Sequence, residues 1–552
     1  MDIRHHLNWR GQYSLIILVV TCVVGIGLRT VHHDDWLVFQ SDQSRDALII
    51  NAAMENGPGT LPLVGPQARG SSLHLGPLFY YFQYFSAKIF GQSPESLAYP
   101  DLLFGILTLP LLFFLLRRFI SLPLSLTLTA FASTSILLVT FSRFAWNPNS
   151  LPFFTTAFIL SFLSALESGG RKRWFLLAGA SASLGIIANL HFVPTIGLTS
   201  SLLVFLILTR SLKWKEILFC ASLVALFQLP TLIYEVRSNG ATLQALIKTV
   251  EEKSSQDDSH NLLEKIFRAY QEESRIVWLL TTGQQNTDMI LTRGFLLKCD
   301  KKCDAALPYS LLAMALTAMV TYMSFIFYRN TTETKKQREL LFLFLCFASF
   351  FITTVPLAYQ ISTRFYLGVA PLLFVFFGLS LTYLVNLSKK SHFKLLFYGM
   401  GIVLLGLNIA VTTTYLSELA LSRVSAEESG TDLVFGTESK VTLDQLRALA
   451  AATQERFRTS DPLFISGESR YARSLYYILS VEYGFSGCYL KGSVDEPVSV
   501  NHVRVIKNKP ELVKESLSRE KERVPFGTLA LKFMPANSSA QKNSLPKECL
   551  TY

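Results

Sequence analysis

The stretch Val38-Phe-Gln-Ser-Asp-Gln-Ser-Arg-Asp46 follows directly on an apolar run that ends near residue 29. Two carboxylates, Asp42 and Asp46, stand four residues apart at the head of an expected helix. That spacing puts both on one helical face. Hardly any other acidic residue approaches an apolar run in this way, so chemistry is expected here.

The composition around this stretch sets the class. The chain has 552 residues, 50% hydrophobic and 16% charged, with a mean hydropathy of +0.34. A soluble chain of that length divides into several domains with far more surface charge. Here the apolar residues fall into about eleven runs of roughly 17–25 residues, long enough to cross a hydrocarbon core. They lie near 13–29, 99–116, 122–141, 151–166, 174–190, 193–209, 216–234, 307–328, 339–358, 366–386 and 394–415. The first lacks a small-residue cleavage site and is followed by further runs, so it reads as an anchor rather than a signal peptide.

Orientation follows from the short loops. Arg117-Arg118, Arg171-Lys-Arg173, Arg210 with Lys213 and Lys215, Arg329 with Lys335-Lys336 and Arg338, and Lys389-Lys390 share one side. The positive-inside rule makes that side cytoplasmic, and the N-terminus with Arg4 and Arg10 joins it. An odd number of spans then puts the C-terminus outside, in a multi-pass protein of the plasma membrane. The net charge of +11 reads as topology. Basic residues dispersed among short loops exclude nucleic acid as a partner.

A membrane domain is expected over 1–416, with long outer loops at 30–98 and 236–306, and an outer tail over 417–552. In the first loop, Asp42–Asn56 reads as a helix stopped by Gly57-Pro58-Gly59. Gly76-Pro77 opens an aromatic helix from Leu78, expected at headgroup level. The tail alternates helix-like runs (443–457, 469–479) with strand-like runs (462–465, 503–506, 528–533), which suggests a small α/β domain. Gly436 and Gly467 are isolated and open no phosphate loop. Cys22, Cys220 and Cys346 lie in apolar runs and read as packing residues. Cys299, Cys303, Cys488 and Cys549 fit two outer disulfides of open pairing. A zinc site suits them less, because no histidine lies close to either pair in sequence.

The run interiors carry almost no charge. Polar candidates sit at outer ends instead: Arg143 and Asn147, Asn189 and His191, Gln360 and Arg364. With Asp42, Asp46 and His74 they are expected to converge on one cavity at the outer membrane surface. Cations there suit a phosphate, and a carboxylate suits a hydroxyl that must lose its proton.

Four motifs recur in a telling order: Phe39 with Asp42-Gln-Ser-Arg45, Gly59-Thr-Leu-Pro62, Gly76-Pro-Leu-Phe-Tyr-Tyr81, and Thr363-Arg-Phe-Tyr-Leu367 with Pro371. Phe141-Ser-Arg-Phe-Ala-Trp-Asn-Pro-Asn149 joins them. This order resembles the membrane glycosyltransferases of the GT-C fold, nearest the protein O-mannosyltransferase and aminoarabinose (lipid A) transferase superfamily. The likeness spans roughly residues 10–390. It implies an α-helical polytopic membrane protein with a polyprenyl-phosphate-linked sugar donor and an outer-face acceptor that is protein, lipid or envelope glycan. It carries the essential first-loop aspartate onto Asp42, as base or acceptor positioner, with Asp46 beside it. His74, Arg143, Asn147, His191, Arg364 and Tyr366 become the substrate-binding candidates. Gln43 stands where the family has Glu, and His74-Leu-Gly-Pro77 replaces its Lys or Glu before a Pro-Pro turn. A divalent metal at Asp42 stays open, and no other cofactor is expected.

Each candidate has a plainer reading. Asp42 can complement a helix dipole, Asp46 can pair with Arg45, and His74 can bond backbone. His191 can be an interfacial side chain, and Arg143 and Arg364 can snorkel to headgroups. A non-enzymatic transporter or flippase of lipid-linked sugars is the rival class. It lacks the midplane charges and paired broken helices that such proteins use.

Overall fold

In a hydrocarbon core every backbone N–H must be satisfied within its own segment, so apolar runs fold as helices. The computed structural model describes residues 9–68, 73–245, 247–248, 261–284, 291–293, 296–298, 307–387, 391–421, 441–490, 500–507, 523–526 and 529–534. The first run forms α1 (Trp9–Thr30). A short turn, α2 (His33–Trp36), and an extended strap lead to α3 (Ser41–Asn56) and α4 (Leu78–Phe90). Then come α5 (Pro94–Phe119), α6 (Leu122–Thr134), α7 (Ile136–Thr140), α8 (Leu151–Glu167), α9 (Gly170–Leu190) and α10 (Phe192–Thr209). They are followed by α11 (Trp214–Phe227), α12 (Leu229–Arg237) and α13 (Leu262–Thr282). A ribbon of β1 (Leu291–Arg293) and β2 (Leu296–Lys298) precedes α14 (Leu307–Asn330), α15 (Thr334–Thr354), α16 (Ala370–Leu387) and α17 (Ser391–Leu421).

Among the described residues, eight helices are long and apolar enough to cross a membrane. α11 and α12 make a further span if taken together, bent by 64°, and α6 and α8 are shorter apolar helices. These helices occupy every apolar run expected from the sequence. The runs are not all single rods, however. Run 122–141 breaks at Ser135 between α6 and α7. Run 366–386 begins inside a 3-10 turn, Thr363–Gly368, and turns α-helical only at Ala370. Run 394–415 lies within the longer α17.

Ionic and aromatic ties fix the bundle. On the side of the basic loops, Arg118 of α5 donates to Glu339 of α15 at 2.6 and 2.8 Å, and also to Glu167 of α8. Arg173 of α9 donates to Glu216 of α11 at 2.9 Å. Deeper in, Phe158, Phe162, Phe205 and Phe342 of α8, α10 and α15 meet at ring distances of 4.8 to 6.2 Å. Offset and edge contacts of this kind add to the burial itself.

Helix ends leave four carbonyls without partners, and in a membrane protein water does not reach them all. Arg29, 1% exposed, donates to Gly25 in its own helix and to Ser133 and Ala132 at the end of α6, at 2.8 to 3.3 Å. Arg143 does the same for α1: its donors reach the carbonyls of Leu28, Arg29, Val31 and His32 at 2.7 to 3.4 Å.

The tail forms a five-stranded mixed sheet. It is built from β3 (Leu463–Gly467), β4 (Gly487–Tyr489), β5 (Asn501–Lys507), β6 (Arg523–Phe526) and β7 (Leu529–Met534). The order is β4-β3-β5-β7-β6. β3 is parallel to β4 and β5, while β7 runs antiparallel to β5 and β6. Two helices, α18 (Leu443–Arg456) and α19 (Ala472–Val481), accompany it. Cys22, Cys220 and Cys346 are free thiols and Cys488 is disulfide-bonded. Cys299, Cys303, Cys549, Gly436 and the charge-rich run 251–258 lie outside the described residues.

Replacing Arg143 by Met leaves up to four carbonyls without their donor. The expected result is a protein that inserts but loses about 1–3 kcal/mol of stability, the cost of unsatisfied buried groups. Thermal unfolding of the purified protein in detergent checks it.

Candidate active site at the outer helix ends

α3 begins where Gln40 caps it. The Gln40 backbone N–H donates to Gln43 Oε1 at 3.1 Å, one half of a capping box. Gln43, which stands where a second carboxylate was looked for, is thereby committed to the helix start. Asp42 follows in the first turn, where the helix dipole favours negative charge. Its carboxylate is 39% exposed, whereas that of Asp46 is 1% exposed.

Arg45 holds both. Its Nη1 donates to Asp42 Oδ1 at 3.1 Å, while Nε and Nη2 reach Asp46 Oδ1 at 2.8 and 2.7 Å. Burial pushes the Asp46 carboxyl up to about 6, with Arg45 pulling the other way. Tyr80 of α4 lies beside the same carboxylate and is 2% exposed. It is therefore not the headgroup anchor expected from the sequence; on that helix Phe85 and Phe90 are the exposed rings.

A second group gathers around Arg364, in the 3-10 turn before α16. Its guanidinium lies 4.9 Å over the Trp146 ring and 5.5 Å from that of Phe365. His191 packs on Phe365 at 4.7 Å, and its Nδ1 accepts the Val193 N–H at 3.3 Å as the cap of α10. Burial, with the Arg364 charge nearby, pushes this imidazole down to about 3. The ring is neutral at ordinary pH and offers an Nε2–H donor rather than a charge. The platform under Arg364 is itself tied down. Asp101 accepts the Trp146 N–H at 2.9 Å and the Ser150 hydroxyl, and Asn147 Nδ2 donates to the Leu190 carbonyl at 2.7 Å.

α13 closes on the same turn. Arg275 pairs with Glu272 at 3.2 Å and reaches Thr363 Oγ1 at 3.4 Å. Arg268 lies 3.8 Å from Glu272 and over the Tyr359 ring. Tyr366, 1% exposed, donates to the Ala269 carbonyl at 3.4 Å. Glu273 is buried beside them, and burial alone pushes it up to about 8. None of these α13 residues was expected from the sequence. Arg268, Glu272 and Arg275 follow an i, i+4, i+7 spacing, which was the available signal for one charged face.

His74 is bonded within the first loop. Its Nδ1–H donates to the Gly65 carbonyl at 2.9 Å, and Nε2 accepts from Gln67 at 3.3 Å. The neighbouring Gly76 is tightly seated: a Cβ there would come within 2.0 Å of Asn189 Oδ1. The first loop is thus pressed onto the end of α9.

The structure therefore joins Asp42 with Arg45, Asp46 and Tyr80. It joins Arg364 with Trp146, Phe365, His191 and α13. Arg143 Nη1 and Nη2 and Asn147 Nδ2 donate to backbone carbonyls, and Tyr366 is packed inward. Among the described residues no three of His, Cys, Asp and Glu converge as a metal set. The neighbour of Asp42 is a cation, so the donor set there does not fit a divalent ion.

A solved structure with this architecture exists at low sequence identity. The chain is similar to ArnT from Cupriavidus metallidurans in the apo state, with a TM-score of 0.55 and 12% identity, covering 95% of this chain and 98% of that one. ArnT from the same organism bound to undecaprenyl phosphate gives 0.53, with the same identity and coverage. The likeness is one of fold: the chain is a multi-pass membrane protein of GT-C fold with a small mixed-sheet domain near its C-terminus. Residues 74–234, which include the Gly76–Tyr81 and Phe141–Asn149 motifs and begin after Asp42, match the family model for dolichyl-phosphate-mannose-protein mannosyltransferase. No curated protein matches the chain in sequence.

The Asp46 environment gives a pH test. Its native carboxyl titrates near 6 against an ordinary value of 3.8, so the folded state binds the extra proton between those limits. Stability contributed by the neutral form is present below pH 4 and is lost as pH rises through 6. The loss is on the order of 3 kcal/mol. Melting curves should show this slope in the native chain and lack it in Asp46→Asn.

Proposed function

We propose that the chain is a membrane glycosyltransferase. It moves a sugar from a polyprenyl-phosphate-linked donor to a hydroxyl acceptor on the extracytoplasmic face. The observation that carries this reading is the carboxylate pair at the head of α3, bridged by Arg45 with Asp42 left accessible. The GT-C fold and the family match support it, as does the lipid phosphate bound by the structurally similar ArnT.

The chemistry is a single displacement. The acceptor oxygen bonds to the anomeric carbon as the bond from that carbon to the phosphate oxygen breaks. The bonding pair leaves with the lipid phosphate, and the acceptor proton passes to Asp42. One displacement inverts the anomeric centre. Asp42 suits the base role because its carboxylate is accessible and Arg45 fixes its orientation through one oxygen. Base catalysis of this kind is worth about 10²–10⁴-fold. Arg364, seated on Trp146, faces the opposite charge: the developing phosphate. His191 adds a neutral donor. Asp46 holds Arg45 and stays out of the proton transfer. In this reading the N-terminus lies in the cytoplasm and the sheet domain outside, supported by the distribution of basic residues among the short loops.

Asp42→Asn should fold and insert yet lower transfer by at least about 10²-fold, with Asp46→Asn losing less. The assay is product formation in membranes that supply their own donor and acceptor, read by mass spectrometry. Near-normal transfer in Asp42→Asn would remove the base assignment. A reporter fused after Tyr552 should read extracytoplasmic and one at Lys336 cytoplasmic; the reverse would put Asp42 on the wrong face.

Arg364→Lys tests the phosphate contact. A guanidinium makes a bidentate contact that an ammonium cannot copy. Apparent donor affinity should therefore weaken about 10-fold or more, since one good charged hydrogen bond is worth about 1.5–3 kcal/mol. An unchanged donor dependence would make Arg364 an interfacial anchor.

A further inference from the structure

Between α2 and α3 the chain runs extended through Leu37-Val-Phe-Gln40, and the C-terminal domain grips it residue by residue. The Leu443 N–H, at the start of α18, donates to the Leu37 carbonyl at 2.9 Å. The Phe39 ring packs on Tyr477 at 5.4 Å. Gln40 Nε2 donates to the Tyr471 hydroxyl at 3.1 Å. Arg473 Nη1 donates to the Ser41 carbonyl at 3.1 Å. One step earlier, Arg447 donates to the Asp34 carbonyl at 3.3 Å and pairs with Glu95 of α5 at 3.0 Å and Glu482 at 2.7 Å. Leu37, Phe39, Gln40, Tyr471 and Tyr477 are all 3% exposed or less.

The last hydrogen bond of the grip reaches Ser41, the residue before Asp42, and α19 packs against α3 itself. The contacts made at residues 37–41 belong to the strap or the first turn of α3, where a helix has no hydrogen-bond ladder of its own to set its position. Arg473 is the most telling member. It is 7% exposed, lies 5.4 Å over Tyr489, and sends a donor out of its domain to the Ser41 carbonyl. Burying a guanidinium costs desolvation that an apolar contact would avoid. An apolar side chain would glue the domains together, but it would not fix the direction of a carbonyl.

We propose that the C-terminal domain is part of the catalytic centre, with Tyr471 and Arg473 as positioning residues that hold the strap so that the Asp42 carboxylate meets the acceptor. The inference rests on the reading of Asp42 as base. It gives the domain a role in the chemical step, beyond any role in presenting an acceptor. Misplacement of a reacting group by about 1 Å can cost about 10²-fold, so modest slackening of the strap should be visible in rate.

The test is a cycle on the full-length chain, in membranes that supply their own donor and acceptor. Arg473→Met should lower the initial rate about 10-fold, Tyr471→Phe less, and Arg473→Lys should restore most of the loss because one donor to one carbonyl suffices. In an Asp42→Asn background, Arg473→Met should change the rate less than about twofold, since the group it positions is gone. Hydrogen–deuterium exchange of the purified Arg473→Met protein should quicken over residues 37–46 and stay unchanged over α14 to α16. Native rates in both Arg473→Met and Tyr471→Phe would overturn the proposal. So would a loss that multiplies in full with Asp42→Asn, because that marks a role independent of the carboxylate. A fall in rate matched by a fall in folded protein would mark mere gluing and overturn it as well. If Asp42→Asn alone kept its rate, the base assignment would fail. Exchange at 37–46 would then still report whether the clamp holds the strap, and unchanged exchange there would overturn that too.

Discussion

Four backbone carbonyls at the end of the first membrane helix converge on one guanidinium, that of Arg143. The path of the chain into the first loop depends on that closure. A helix end in or near lipid must find donors, and it finds them here on a different segment, so the exit of α1 is fixed in direction. From that exit the chain can only run through α2 and the strap to α3. The carboxylate pair is thus placed from below by a membrane residue and from above by the sheet domain. Arg143 itself is held in the buried stretch Phe141–Asn149, which Asp101 staples through Trp146 and Ser150. The same stretch carries the ring beneath Arg364, so both ends of the candidate site share one support.

The arginines described above differ in what their guanidinium groups face. Arg29 and Arg143 direct their donors to carbonyls, and Arg118 and Arg173 to buried carboxylates. Such groups hold helices together. Arg364 lies over the Trp146 ring at 4.9 Å, an arrangement that helps to orient a guanidinium. Arg45 is intermediate: it is committed to two carboxylates, yet the outer of these is accessible. A buried Asp46 with a raised pKa and an accessible Asp42 make an unequal pair.

Much of this was legible in the sequence, for identifiable reasons. The start of α3 lay within one residue of expectation, and its stop at Gly57 was marked by a glycine whose φ of +94° other residues rarely adopt. In the sheet domain, β3, β5 and β7 were read from their apolar and β-branched runs. β4 and β6 were missed. They are three and four residues long and lie at the two edges of the sheet, too short to show an alternation. The site divides in the same way. Asp42, Asp46 and Arg364 stand in ordered motifs. The charged face of α13 stood in a loop read only as bulk, and spacing alone could not say that it folds inward. Arg143 was misjudged for a related reason: an arginine at a span end looks the same in sequence whether it faces a headgroup or a neighbour's carbonyls.

The bent pair α11 and α12 shows how far this economy of placement goes. A break in an apolar helix frees carbonyls and is tolerated only where polar groups reach them. Asn189 Nδ2 donates to the Phe227 carbonyl at the bend at 3.1 Å, and Gln228 Nε2 donates back to Gly185 at 2.9 Å. The Asn189 amide that closes the bend also presses its Oδ1 against Gly76, where no side chain fits. Transporters use broken helices to line a path for ions at mid-membrane. Here the break is closed by its neighbour, and the neighbour seats the first loop. The geometry favours a fixed platform over a moving gate.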